Sequence, residues 1–146
     1  MTNEINMNSK RKGNITELSV ALAFQKLNIP VAIPFGDCER YDLIVDINNK
    51  LYKIQCKTAS PYRGDSTRIS FNCRSISISH GKNVHHRYTK DEIDFFATVW
   101  DNKCYLVPVT ETSTEKILSL IPPKNNQRVG VNMAEDYLLE KVVKEL

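Results

Sequence analysis

"YDLIVDINNKLYKIQCKTA", residues 41–59, consists of two short apolar runs joined at Asn48-Asn49. Such runs either side of two turn-forming residues predict a β-hairpin in which Ile47 pairs with Lys50. Side chains of a strand alternate between its faces with period two. Carrying the register outward therefore sets Asp42 opposite Gln55, with Lys57 on the same face and Ile54 and Cys56 on the other. Cross-strand partners sharing a face stand about 4.5–5.5 Å apart at Cβ. A carboxylate, an amide oxygen and an ammonium thus converge at the open end of one hairpin. Taken singly, Lys57 is an ordinary surface lysine and Gln55 an exposed strand position. Together at this spacing they read as a site.

The surrounding chain sets bounds on that site. Its 146 residues, 41% hydrophobic and 25% charged, describe one ordinary globular domain over residues 1–146. No apolar run approaches the ~20 residues that cross a bilayer, and the first residues lack the apolar stretch of a secretory signal. An intracellular protein is expected, in the cytoplasm or with the genome, without a membrane partner. Cys38, Cys56, Cys73 and Cys104 show no C-x-x-C spacing, which favours free thiols over a disulfide framework or a zinc site.

The net charge of +3 hides an asymmetry. Residues 50–90 hold nine Lys or Arg against the single acid Asp65, whereas the segments on either side are net acidic. All three histidines lie in the same basic third. A polyanion partner is implied, nucleic acid ahead of membrane, because no basic amphipathic helix is present there. A merely solvated basic face is the plainer reading of the charge.

Along the chain, residues 1–13 read as a flexible basic arm ending in "KRKG". Asn14-Ile15-Thr16-Glu17 has the form of a capping box opening a helix that runs to about Asn28. "TRISFNC", "SISIS", "DFFATVW" and "KCYLVPV" read as strands, with the polar "HGKNVHHRYTKDE" as a mobile loop between the second and third. "STEKILSLI" reads as a short helix, and "MAEDYLLEKVVKEL" as a final helix capped by Asn132 and Glu135. Leu138, Leu139, Val142, Val143 and Leu146 spread widely over that last helix, suiting either a subunit interface or core packing. The order of elements implies a mixed sheet flanked by helices.

Glu17 lies on the helix face shared by Val20, Ala21 and Phe24, at the edge of the stripe that packs on the sheet. It reads equally as a helix cap or as a fourth member of the site. Asp42, Gln55 and Glu17 form the oxygen-rich set that hard divalent cations take, alongside one amine. Such a cation serves phosphodiester hydrolysis, and Lys57 suits orienting water or offsetting phosphate charge. Asp94 more naturally starts its strand or orients a neighbour.

The order Glu17, Asp42, Gln55-Cys56-Lys57 resembles the PD-(D/E)XK nucleases, and specifically the group I intron-encoded homing endonucleases with a Q-x-K variant. The likeness extends through "KRKGNITEL", "IPFGDCERYDLIVD", "KIQCKTA", "YTKDEIDFFATV", "YLVPV" and "PPKNNQRVGVNMAEDY". It implies an α/β (α+β) restriction-endonuclease-like core with a mixed central β-sheet flanked by α-helices. The resemblance makes Asp42 the central metal ligand, Gln55 a neutral oxygen ligand in the usual acidic position, and the Cys56 carbonyl a further ligand. Lys57 becomes the catalytic lysine and Glu17 an outer or direct ligand. Tyr41 precedes Asp42 where the family motif has proline. Mg²⁺ is the implied cofactor, with Mn²⁺ able to substitute.

The implied function is site-specific, metal-dependent hydrolysis of double-stranded DNA by a homodimer or homotetramer. Expected DNA contacts are Lys10, Arg11 and Lys12 in the arm, then Tyr62, Arg63, Arg68, Arg74, Lys82, His85, His86 and Arg87 in the basic third. Alternatives are a Holliday-junction resolvase or repair nuclease, and a non-catalytic DNA-binding module that retains the fold.

Overall fold

Four two-residue turns organise the chain into antiparallel pairs: Asn48-Asn49, Arg63-Gly64, His80-Gly81 and Asp101-Asn102. In each, both residues have positive φ, from 49° at Asp101 to 75° at Gly64. This is the turn whose twist matches that of the strands it joins, and Asn, Asp and Gly tolerate its conformation best. The computed structural model describes residues 8–123 and 130–146.

In chain order the elements are α1 (Ser9–Lys26), β1 (Val31–Ala32), β2 (Leu43–Ile47), β3 (Lys50–Cys56), β4 (Ser60–Tyr62), β5 (Asp65–Asn72), β6 (Arg74–Ser79) and β7 (Lys82–Arg87). They continue with β8 (Phe95–Trp100), β9 (Lys103–Pro108), a 3₁₀ turn at Val109–Glu111, β10 (Glu115–Ser119), a second 3₁₀ turn at Ala134–Tyr137, and α2 (Leu139–Val143). The central sheet has the order β1-β2-β3-β8-β9. It is antiparallel except where β3 runs parallel to β8. A second sheet has the order β10-β5-β4, and β6 with β7 forms a separate two-stranded ribbon.

Alternation along the central strands builds two cores. Leu43, Val45, Tyr52, Ile54 and Ala97 turn to one face, where Val20 and Phe24 of α1 close over them. Phe96, Tyr105 and Val107 turn to the other face and meet Ile69, Phe71 and Leu118 of the second sheet. The parallel strand β8 is buried along most of its length, as expected of a strand covered on both sides. Helix α1 spans the first core because Thr16, Val20 and Phe24 recur every fourth residue. It stops at Asn28, which takes φ of 58° just ahead of Pro30.

Several expectations are corrected. Helix α1 opens at Ser9, not Asn14: the Asn8 side chain accepts from the Arg11 amide at 2.9 Å and caps it. Lys10, Arg11 and Lys12 therefore belong to the helix and lie exposed on it; residues 1–7 of the expected arm lie outside the described residues. Residues 82–87, expected in a mobile loop, form β7, because the His80-Gly81 turn folds them back on β6 in unbroken register. Residues 115–119 are a strand, not a helix: they pair with the whole second half of β5, and Lys116 and Leu118 are buried at period two.

The closing helix is also shorter than expected. The backbone leaves helical geometry at Leu138 (ψ 134°), and no side chain caps the turn beginning at Ala134. Leu139 is wholly buried, and Val142 and Val143 pack on the first core. Most of the apolar surface considered for a subunit interface is therefore taken up by core packing. The strand β4 was not foreseen. Residues 124–129 of the expected loop lie outside the described residues. All four cysteines are free thiols. No helix among the described residues is long and apolar enough to cross a membrane.

Thr98 is fully buried in β8, and its hydroxyl has no hydrogen-bond partner among the described residues. A buried hydroxyl without a partner costs about 1–3 kcal/mol. Thr98→Val keeps the branched shape and removes the hydroxyl. It is expected to raise the urea midpoint of unfolding at unchanged slope; a lowered midpoint would mean that the hydroxyl is satisfied.

Candidate active site

The Asn48-Asn49 turn fixes β2 on β3 in the register Ile47 with Lys50 through Leu43 with Ile54. Just beyond the last pair the Asp42 amide donates to the Ile54 carbonyl at 2.8 Å, and Asp42 Oδ2 accepts the Cys56 amide at 2.9 Å. Asp42 thus closes the end of the hairpin with both its backbone and its side chain. One of its carboxylate oxygens is committed to the peptide. Gln55 pairs across β3 and β8 with Phe96 and so faces the second core, and its Nε2 makes a long 3.5 Å contact to the Cys56 carbonyl.

Glu17 arrives from the opposite side, on α1. Because the helix begins at Ser9, Glu17 stands in its interior, and the capping role is ruled out. Its neighbour Thr16 is buried, and the Thr16 and Thr58 hydroxyls are hydrogen-bonded at 3.0 Å. That bond ties α1 to the chain one residue past Lys57. Burial, then the nearby Asp42 carboxylate, pushes Glu17 above the usual carboxylate range. Asp42 is also raised, chiefly by burial, against the opposing pull of the Cys56 amide and the Lys57 ammonium.

Lys57 is half-buried. Burial lowers its pKa most; the Asp42 carboxylate opposes this, and Arg40 adds to it. Its Nζ donates to the Arg74 carbonyl at 3.0 Å and stands 5.3 Å from the centroid of the Tyr88 ring. Asp42 therefore stands in the field of both Glu17 and Lys57 at one end of the hairpin, with its carboxylate bonded to the Cys56 amide.

The donor set suits a hard cation. Two partly buried carboxylates in one another's field are relieved by positive charge between them. The remaining donors there are amide and peptide oxygens. The Cys56 thiol is pushed well above its ordinary range by burial and by Asp42 and Glu17, which keeps it protonated. Among the described residues no three His, Cys, Asp or Glu side chains gather into a metal cluster.

The expected DNA contacts divide by situation. Lys10, Arg11, Lys12, Arg63, Lys82, His85 and Arg87 are exposed. The Arg63 and Arg68 guanidinium groups lie 5.2 and 4.9 Å from the Tyr62 ring centroid at the β4–β5 turn. Arg68 also pairs with Asp65 at 2.9 Å. His86 bonds Ser77 at 2.9 Å across the ribbon. Arg74 is half-buried, and its Nε has no partner among the described residues.

Three residues beside the site were not singled out in the sequence: Arg40, Tyr88 and Glu92. Arg40 lies in "CERYD", two positions before Asp42, and that proximity was its available signal.

A model of the PD-(D/E)XK endonuclease family matches residues 7–140. The chain belongs to that family. This endonuclease also shares its fold with a solved structure described as a bacterial homing endonuclease, I-Ssp6803I. The TM-score is 0.76 at 20% sequence identity, over 95% of each chain. No curated protein matches the sequence. The restriction-endonuclease-like fold, with a central mixed sheet and two helices, is thereby established.

Asp94 takes the orienting role. Its carboxylate accepts the Lys53 amide at 2.9 Å, and its own amide donates to the Lys53 carbonyl at 2.9 Å, fixing where β8 joins β3. Asp94→Ala leaves the Lys53 amide without that partner and is expected to cost about 1–3 kcal/mol, with Asp94→Asn losing less because an oxygen acceptor remains. Urea denaturation of the two variants checks this, and equal losses would assign the effect to charge instead.

Proposed function

We propose that this endonuclease is a divalent-metal-dependent endodeoxyribonuclease that cuts double-stranded DNA at specific sites, in the manner of a homing enzyme. The observation that carries the reading is Asp42, fixed by the Cys56 amide, with Glu17 and Lys57 each in the field of its carboxylate, within a PD-(D/E)XK chain. The homing role rests further on the fold shared with I-Ssp6803I and on Gln55 in the acidic position of the motif.

On this reading Asp42 Oδ1, Glu17, the Gln55 amide oxygen and the Cys56 carbonyl hold Mg²⁺, with Mn²⁺ able to replace it. The ion supplies positive charge at the scissile phosphate and makes water a stronger nucleophile. The chain itself performs the positioning. The bond from the Cys56 amide fixes the Asp42 carboxylate before substrate arrives, so little reorganisation accompanies catalysis. Lys57, held by the Arg74 carbonyl and partly withdrawn from water, offsets charge on the phosphate and orients the attacking water. The exposed cations of α1, the β4–β5 turn and the β6–β7 ribbon contact DNA backbone. One chain carries one such set, so cutting both strands calls for a homodimer or homotetramer.

Asp42→Ala and Lys57→Ala are expected to abolish cleavage of duplex DNA while leaving affinity within about tenfold, since they serve the phosphate and not base recognition. Turnover with Mg²⁺ and with EDTA, on linear and four-way-junction DNA, is the measurement. Normal cutting by either variant removes the assignment, and cutting of the junction alone favours a resolvase.

Gln55→Glu restores a carboxylate and is expected to tighten divalent-metal binding in calorimetric titration; unchanged affinity, free and DNA-bound, would exclude Gln55 as a ligand. DNA affinity is expected to fall about 10³-fold or more between 50 and 200 mM salt, as it does for several phosphate contacts. Neutralising Arg63, Lys82 and Arg87 together should flatten that dependence. A flat dependence in the unaltered protein would point away from nucleic acid.

A further inference from the structure

Arg40 makes more polar contacts than any role at the surface requires. Its Nη1 donates to Glu92 Oε2 at 2.6 Å and to the Arg87 carbonyl at 3.0 Å. Its Nη2 donates to Ser75 Oγ at 2.8 Å and, more weakly, to the His86 carbonyl at 3.4 Å. The guanidinium carbon also sits 3.8 Å from the centroid of the Tyr88 ring. An exposed ion pair alone contributes little to stability. A planar fork with four acceptors and an aromatic face beneath it is held in one orientation.

These partners have a pattern. Ser75 is the second residue of β6, opposite His86, while Arg87 ends β7 and Tyr88 follows it. Glu92 is itself anchored, accepting from the Thr89 amide at 3.0 Å and the Thr89 hydroxyl at 3.1 Å. Arg40 therefore clasps both roots of the ribbon to the segment that leads into β8.

Lys57 grips the same two roots. Its ammonium is bonded to the Arg74 carbonyl, next to Ser75, and lies over the Tyr88 ring. Tyr88 is wedged edge-on against Phe96, with centroids 5.2 Å apart and planes at 83°. The ribbon's roots are thus the common support of an arginine two residues before Asp42 and of the lysine two residues after Gln55. The ribbon pairs with neither sheet and carries exposed Lys82, His85 and Arg87.

We propose that Arg40 is a positioning residue for the nuclease reaction. By clasping the ribbon roots it sets the Arg74 carbonyl and the Tyr88 ring that hold the Lys57 ammonium, and so couples seating of the ribbon on duplex DNA to the cleavage step. This rests on Lys57 being the catalytic ammonium.

The test uses the full chain and a duplex oligonucleotide recovered by its cleavage from a randomised plasmid pool. Arg40→Met keeps the aliphatic stem and loses the fork. At saturating duplex with Mg²⁺ its single-turnover rate constant is expected to fall about 100-fold, the scale of an ångström's misplacement of a reacting group. Its DNA affinity in EDTA should stay within about threefold, because the residue acts through Lys57 and not on the phosphate backbone. Arg40→Lys restores charge without the fork and should recover only about tenfold of that loss.

The separation of rate from affinity distinguishes this role from others. A lost phosphate contact would weaken binding, and a loosened fold would lower the active fraction and not the rate constant. If Arg40→Met fails to fold, Ser75→Ala removes one acceptor of the clasp and is expected to slow cleavage about threefold. Wild-type rates in Arg40→Lys and Ser75→Ala, or in Arg40→Met, with Lys57→Ala inactive, overturn the positioning role and leave the nuclease assignment standing. No DNA cleavage by the unaltered chain, or normal cleavage by Lys57→Ala, overturns both.

Discussion

The register of β2 on β3 is the constraint on which the rest depends. A strand's faces alternate every residue, so a slip of β2 by one would turn Leu43 and Val45 away from the first core and set Ile44 and Asp46 in their place. Two features forbid the slip. The Asn48-Asn49 turn admits no extra residue, both its positions being at positive φ, and Val45 opposite Tyr52 fills the first core beneath α1. With the register set, the peptide of Cys56 arrives where the Asp42 carboxylate can accept from it, and that bond seals the hairpin at the site itself. The same pairing that makes the core also makes the constellation.

A sheet covered on both faces has its ends as the place where polar groups meet without crossing a core. Here Glu17 comes from the layer above, Lys57 turns toward the layer below, and Asp42 stands at the strand end between them. Each acid is half-buried, enough to be raised by desolvation yet still open to a ligand. The Thr16–Thr58 and Lys57–Arg74 bonds brace the two layers at adjacent residues of one strand exit. The position of the site therefore depends on packing above and below it.

The hairpin and the placing of Asp42 and Lys57 together at its end were legible in the sequence because turn chemistry and period-two alternation act locally. So were α1's packing face and the β8–β9 pair. The misread elements are those whose state is decided by a distant partner. "STEKILSLI" carries helix-compatible spacing, but β5 offers an open edge, and Lys116 can be buried there because its ammonium reaches the Glu111 carbonyl and Tyr137 hydroxyl. "KNVHHR" is too polar to announce a strand, and it becomes one because the His80-Gly81 turn hands it to β6. The start of α1 was missed because a capping box at Asn14 looks as sound as the cap that Asn8 provides. Beyond its place two residues before Asp42, nothing marked Arg40, since its partners at 75, 86, 87 and 92 come together only when the ribbon folds back.

On the proposed reading, charge accounts for an amide at position 55. Glu17 and Asp42 contribute two negative charges and Lys57 one positive, leaving a single net negative charge in a half-buried volume. On the proposed reading a divalent cation reverses that to a single positive charge, which one phosphodiester neutralises. A carboxylate at Gln55 would leave the occupied site net negative with the substrate in place, and its own desolvation would add to that of the other two. On that reading the amide gives up affinity for the cation and in return matches the charge of the phosphate. Holding the weaker set together then falls to fixed geometry, through the Cys56 amide on Asp42 and the ribbon roots on Lys57. A site with fewer charges needs its remaining ones more firmly placed, and the clasp around Arg40 supplies that placement.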